Sequence, residues 1–189
     1  NTIHSNNYSF YNELNQVIQE EPFDAFNPEI LGLFASIGIK KGQEFNPDDR
    51  MKKILTEAVA IGNATARAIA FRPRNENTYF YSDRQWYSPF AGGSSEFLNN
   101  GARVLDDRTM FHYYATGITP AMAKPKVGTG SAYELTAQDS EGNFLDGGKN
   151  YKITLPGPVP AKNFWSFMVY DGITRSMLET DQKFAGLDS

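Results

Sequence analysis

Apolar residues recur at intervals of three and four through the first third of the chain. Phe10, Tyr11, Leu14, Val17 and Ile18 form one stripe, with Asn12, Glu13, Asn15, Gln16 and Gln19 opposite. With Pro22 as the stop, the pattern predicts an amphipathic helix. Asn27 as cap and Pro28 at the first helical position open a second helix through Ile30, Leu31, Leu33, Phe34 and Ile37, which Gly38 terminates. A helix so apolar is expected to be buried. The third signal is the clearest. Asn46 reads as cap, Pro47 as the first helical residue, and Asp48 and Asp49 complement the macrodipole. Met51, Ile54, Leu55, Ala58, Val59, Ile61, Thr65, Ala68 and Ile69 then carry a helical stripe as far as Pro73, so a helix is expected over about 47–71.

Beyond Pro73 the period changes. Thr78-Tyr79-Phe80-Tyr81 and Gln85-Trp86-Tyr87 are aromatic and favour extended backbone, and Ala91-Gly92-Gly93-Ser94-Ser95 breaks the chain. Asp106 or Asp107 is expected to cap a helix over about 108–116, ended by Gly117 and Pro120. Residues 131–138 alternate only loosely and 139–143 form a turn. Tyr151, Ile153 and Leu155 alternate with Lys152 and Thr154 as a half-buried strand, and residues 164–170 are apolar on both faces, as in a strand between two layers. Only about four to six strands can be found, and a strand apolar on both sides needs a second sheet or helical cover. The expected fold is α+β: a helical connector over 1–75, then an incomplete antiparallel β-sandwich over 76–189. The missing cover is expected from the helices, a second copy of the chain, or further segments of the same protein.

Composition narrows the classes of function. The 189 residues carry 18 Lys and Arg against 22 Asp and Glu, a net charge of −4 without a basic run, which argues against nucleic-acid binding. No run of about twenty consecutive apolar residues marks a membrane span. The absence of Cys removes disulfides, thiolate nucleophiles and Cys-ligated zinc.

Several long motifs resemble a known pair of domains. They are Phe45-Asn46-Pro47-Asp48-Asp49-Arg50-Met51, Gly62-Asn63-Ala64-Thr65-Ala66-Arg67, Gly101-Ala102-Arg103, the run from Phe111-His112-Tyr113-Tyr114 to Thr119-Pro120-Ala121-Met122, Leu145-Asp146-Gly147-Gly148-Lys149-Asn150-Tyr151, and Asn163-Phe164-Trp165-Ser166-Phe167. Together they resemble the two-part family of domain of unknown function 1254 plus domain of unknown function 1214. The resemblance implies a larger, mostly bacterial protein, often exported to the periplasm or beyond. It also implies two jelly-roll-like β-sandwiches joined by a helical segment, with no established reaction. Set on that pattern, residues 1–189 are expected to be its middle: the helical connector and the first part of the second sandwich.

Candidate chemistry is sparse. His112 shares a helix face with Arg108 at i and i+4, and its ordinary pKa near neutrality suits general acid–base work, with Arg108 or Arg103 holding an anion. The competing reading is a structural histidine at a domain seam. His4 and His112 alone make a poor zinc site, and no metal or cofactor is expected. No Gly-x-Ser-x-Gly elbow, phosphate-binding loop or dinucleotide fingerprint occurs. Trp86, Tyr87, Tyr113 and Tyr114, with Arg103 and Arg175, are the residue types that line a groove for a small organic ligand, and equally those of a core or subunit interface. The first expectation is a ligand-binding or self-associating structural module. The second is a hydrolase-like enzyme acting on a small organic or ester-like substrate through His112.

Overall fold

The computed structural model describes residues 3–124 and 126–189 and divides into two compact units, Asn1–Arg67 and Ala68–Ser189. The first unit is helical. Helix α1 spans Ser9–Glu20, α2 spans Pro28–Ser36, and α3 spans Asp49–Phe71, its last turn belonging to the second unit. Tyr11, Ile18, Ile39 and Leu55 are buried at the centre, with Leu14, Phe34 and Val59 packed against them. Asn27 caps α2 as expected, accepting from the Glu29 amide at 2.8 Å. The cap of α3 lies two residues later than the sequence suggests: Asp48, not Asn46, accepts from the Met51 amide at 2.7 Å. A carboxylate three residues before that free amide satisfies it and starts the helix there.

One expectation is corrected in this unit. Helix α2 buries no residue completely, and Leu33 is 69% exposed, so an apolar composition has not brought full cover. Helix α3 carries Ile54 and Ile61 in the open, and its 23 residues, with a mean hydropathy of 1.2 in the most apolar window, are long and apolar enough to cross a membrane by length and composition. The core helix of a water-soluble protein passes the same test.

The end of α1 is held by the loop that follows α2. The Lys41 ammonium donates to the carbonyls of Ile18, Gln19 and Glu21 at 3.2, 2.7 and 2.5 Å. The last carbonyls of a helix have no partner within it and gather partial negative charge. One three-donor cation meets three of them. Gln19 fastens the same loop from the other side, donating to the Lys40 carbonyl and accepting from the Gly42 amide.

The second unit mixes short helices with short antiparallel pairs, so the α+β class holds. Strand β1 (Leu98–Asn99) pairs with β2 (Ala102–Arg103) across a tight turn in which Asn100 takes a positive φ of 50° beside Gly101. Helices α4 (Leu105–Tyr114) and α5 (Pro120–Ala123) follow. Strand β3 (Ser166–Met168) pairs with β4 (Gly186–Asp188), Phe167 lying opposite Leu187. Isolated bridges join Tyr87 to Tyr79 and Leu135, Gln138 to Phe144 across the expected turn, and Tyr170 to Met177.

Helix α4 begins at Leu105, three residues ahead of expectation, with Val104 in the cap position and Asp106 and Asp107 inside the first turn. The Val104 amide is anchored to the Phe97 carbonyl at 2.8 Å, so no side-chain cap is needed to fix the start. The expected strand around Tyr151, Ile153 and Leu155 forms no ladder, and all three side chains are exposed. Strand geometry needs a partner edge, and none reaches it among the described residues. Residues 164–170 are not enclosed between layers either: Phe167 is half-buried against Trp86 and Trp165, while Phe164, Met168 and Tyr170 stand on the open face.

Candidate functional site

Four of the residues singled out by sequence, Tyr87, Tyr113, Tyr114 and Arg175, converge on the C-terminal end of α3. The Ala70 carbonyl there is one of the helix's unpaired last four and is fully buried. Tyr87 donates to it at 2.9 Å and Tyr114 at 3.0 Å, and the two hydroxyl oxygens lie 2.9 Å apart. Three short contacts share two protons. Burial pushes the Tyr87 hydroxyl up to about 12, and burial also raises Tyr114, helped by Tyr87 beside it. Both hydroxyls are therefore held as proton donors. They serve as a side-chain cap for the helix.

Tyr113 turns the other way. Its hydroxyl donates to the Gly172 carbonyl at 2.8 Å, and the Arg175 guanidinium lies 4.4 Å from its ring centroid. The loop 171–176 is prepared for this contact. Asp171 Oδ1 accepts from the amides of Ile173 and Thr174, and the Asp171 amide donates to the Ser176 carbonyl. Arg175 adopts φ 60°, a left-handed conformation rare for its residue type, and its Nη1 is buried without an acceptor. The Tyr113 ring face is what meets that charge. The aromatic set thus forms a packed seam around Ala70 and Phe71 rather than an open groove.

The remaining sequence candidates are dispersed. His112 is exposed, touches the Phe97 and Phe111 rings edge-on, and makes no side-chain hydrogen bond among the described residues. Arg108 is half-buried one turn earlier on the same face, without an ion pair among the described residues, and Arg103 is exposed on β2. Trp86 is half-buried and packs on Phe167 at 6.2 Å. No group of three or more His, Asp or Glu side chains that could hold a metal occurs among the described residues.

A different residue lines a polar concavity in the second unit. A pocket of about 210 Å³ opens at the start of α4, lined by Asn75, Asn77, Phe97, Asn99, Val104 and Asp107 among others. Asp107 is only 5% exposed. Its Oδ2 accepts from Asn75 Nδ2 at 3.0 Å, and Asn75 is itself fixed by accepting from the Asn77 amide. Oδ1 has no hydrogen-bond partner among the described residues. Burial raises the Asp107 pKa above its ordinary value, the Asn75 hydrogen bond opposes that, and neighbouring Asp106 reinforces it. Arg74 does not relieve Asp107, because its guanidinium is paired with Asp106 through Nη2 at 2.5 Å and Nε at 3.2 Å. Sequence reasoning assigned Asp107 to a cap and passed over a usable signal. Counting from Asp107, Met110, Phe111 and Tyr114 fall at i+3, i+4 and i+7, the stripe that turns inward, whereas His112 lies off it.

The second concavity, about 230 Å³, lies in the helical unit between Ile18, Phe23, Phe26, Leu31 and Ile39, and is almost wholly apolar. No curated protein matches the chain. Residues 130–189 match the family described as Protein of unknown function (DUF1214).

Proposed function

We propose that this chain is a structural, self-associating module whose β half is closed by a second copy of itself into a jelly-roll-like sandwich, within the two-domain arrangement and exported setting that the family resemblance implies. One observation carries the reading: the apolar surface of residues 144–187 has no cover. Of the twenty-six exposed large apolar side chains among the described residues, fourteen lie in that stretch, and Ala185 is its only buried apolar residue. The whole chain exposes 13938 Å². A compact protein of this mass exposes about 9,000 Å², and two separate globules of the sizes of the two units about 11,000 Å². The surplus of about 3,000 Å² exceeds the roughly 800 Å² that each partner buries in an ordinary stable interface.

Edge chemistry supports a strand-mediated contact. The β3–β4 pair is a two-stranded sheet with an outer edge on each strand; Met168 and Leu187 in it are exposed, and neither strand contains the Lys or Pro that usually blunts an exposed edge. Backbone groups on such an edge pair readily with another chain. The test is the mass of the native particle, alone and with Leu187→Lys. The wild type is expected to be a dimer. The variant, whose side chain is 63% exposed, is expected to be monomeric without loss of secondary structure. A monomeric wild type would remove the proposal.

A further inference from the structure

We propose that the pocket at the start of α4 binds a small organic cation, an ammonium or amidinium group, which Asp107 Oδ1 receives at its floor. The argument begins with charge. Asp107 is 95% shielded from solvent and forms no ion pair among the described residues, while the Arg74 guanidinium is committed to neighbouring Asp106. A carboxylate so placed is costly in its ionised form unless an opposite charge meets it, and among the described residues it has a single neutral amide donor. A bound cation supplies the missing partner.

The rest of the pocket suits such a head group. The carboxamides of Asn77 and Asn99 in the lining make no side-chain hydrogen bond among the described residues, leaving oxygens free to accept the remaining N–H groups of an ammonium. Phe97, Leu98 and Val104 provide an apolar wall for a short alkyl stem. Two glycine-like backbone features shape the opening: Phe97 at φ 57° and Gly92 at φ 70° bring their segments around the start of the helix. The α4 dipole opposes a cation here, but it acts diffusely, whereas Oδ1 lies in direct reach. Size sets the ligand class. About 210 Å³ is room enough for a short alkylammonium.

The experiment is an NMR titration of the full 189-residue chain with n-propylammonium chloride, beside propan-1-ol as a neutral analogue of the same length. Saturable shifts are expected at the amides of residues 105–107 and the Asn75 side-chain NH₂, with at least about tenfold weaker response to propanol. Asp107→Asn, nearly identical in shape, is expected to weaken propylammonium binding by about tenfold or more. Leu98→Trp, at an exposed position on the wall, is expected to abolish it while leaving the fold intact, and covers the case in which Asp107→Asn does not fold. Equal binding of propanol, unchanged binding by either folded variant, or no saturable shift at about 100 mM would each overturn the assignment.

Discussion

Replacing Tyr87 and Tyr114 by Phe, singly and together, probes how α3 is terminated. Both hydroxyls reach the Ala70 carbonyl, which is 0% exposed and has no water to fall back on. Removing one hydroxyl leaves the other still donating, so each single change should cost about 1 kcal/mol, the net worth of an ordinary hydrogen bond. Removing both strands the carbonyl, and the penalty for a buried unsatisfied acceptor, about 1–3 kcal/mol, is added at that step. The double variant should therefore lose roughly 1 kcal/mol or more beyond the sum of the singles. Urea unfolding of the four proteins, compared at constant m-value, measures this coupling. Additivity within about 0.3 kcal/mol would show that the two hydroxyls do not share the carbonyl. The same pair imposes a pH dependence. Tyr87 is raised from 10.0 to about 12 in the folded chain, so the folded state holds its proton more tightly than the unfolded state. The associated stability is fully present below pH 10 and is lost as pH rises through 12, on the order of 2–3 kcal/mol. Tyr114 acts in the same direction. Alkaline unfolding followed by circular dichroism should begin in that window for the wild type and weaken in dependence when both residues are Phe.

The other expectations are shorter. Lys41→Met removes the ammonium from three carbonyls at the end of α1 and should destabilise the helical unit by about 2 kcal/mol in urea unfolding, with Lys41→Arg recovering part of it. Asp107→Asn should raise stability at neutral pH or leave it unchanged. The raised pKa means that Asp107 favours folding when protonated, and that contribution disappears as pH climbs through the folded value, so the gap between variant and wild type should close in acid. His112→Ala removes an exposed ring that makes no hydrogen bond among the described residues, and its cost should stay within about 0.5 kcal/mol in thermal or urea unfolding. If any hydrolytic turnover of small esters by this chain can be measured, loss of it in that folded variant would assign His112 to the reaction, and retention would remove it.

The helices were legible where a period could carry the signal. The stripe from Tyr11 to Ile18 and the long run to Phe71 both became helices, because a face of apolar side chains identifies itself at spacings of three and four. Their starts were less legible. Asn46 and Asp48 are both good caps, and only the geometry of the Met51 amide decides between them. Strands are harder to read because half of their stabilisation lies on another segment. Tyr151, Ile153 and Leu155 have the alternation of a strand but no neighbouring edge, whereas the poorly patterned segment around Leu135 does form a bridge to Tyr87. For the site, the sequence pointed to the aromatic residues and Arg175 but not to their role: the same Tyr and Arg types serve a groove or a core, and here the hydroxyls face a helix end. Asp107 was hidden because a carboxylate at a helix start is usually a cap, and only its place on the stripe of Met110 and Phe111 separates a buried group from a solvated one.

Sedimentation equilibrium of the 189-residue chain, read beside its mass under denaturing conditions, tests most directly whether the open β surface is an assembly surface. A native mass near twice 21.1 kDa, falling to 21.1 kDa with Leu187→Lys, is the expected result. A wild-type native mass of 21.1 kDa at all concentrations, with the apolar side chains of residues 144–187 still accessible to a hydrophobic dye, would contradict self-association and assign their cover to further strands of the same polypeptide.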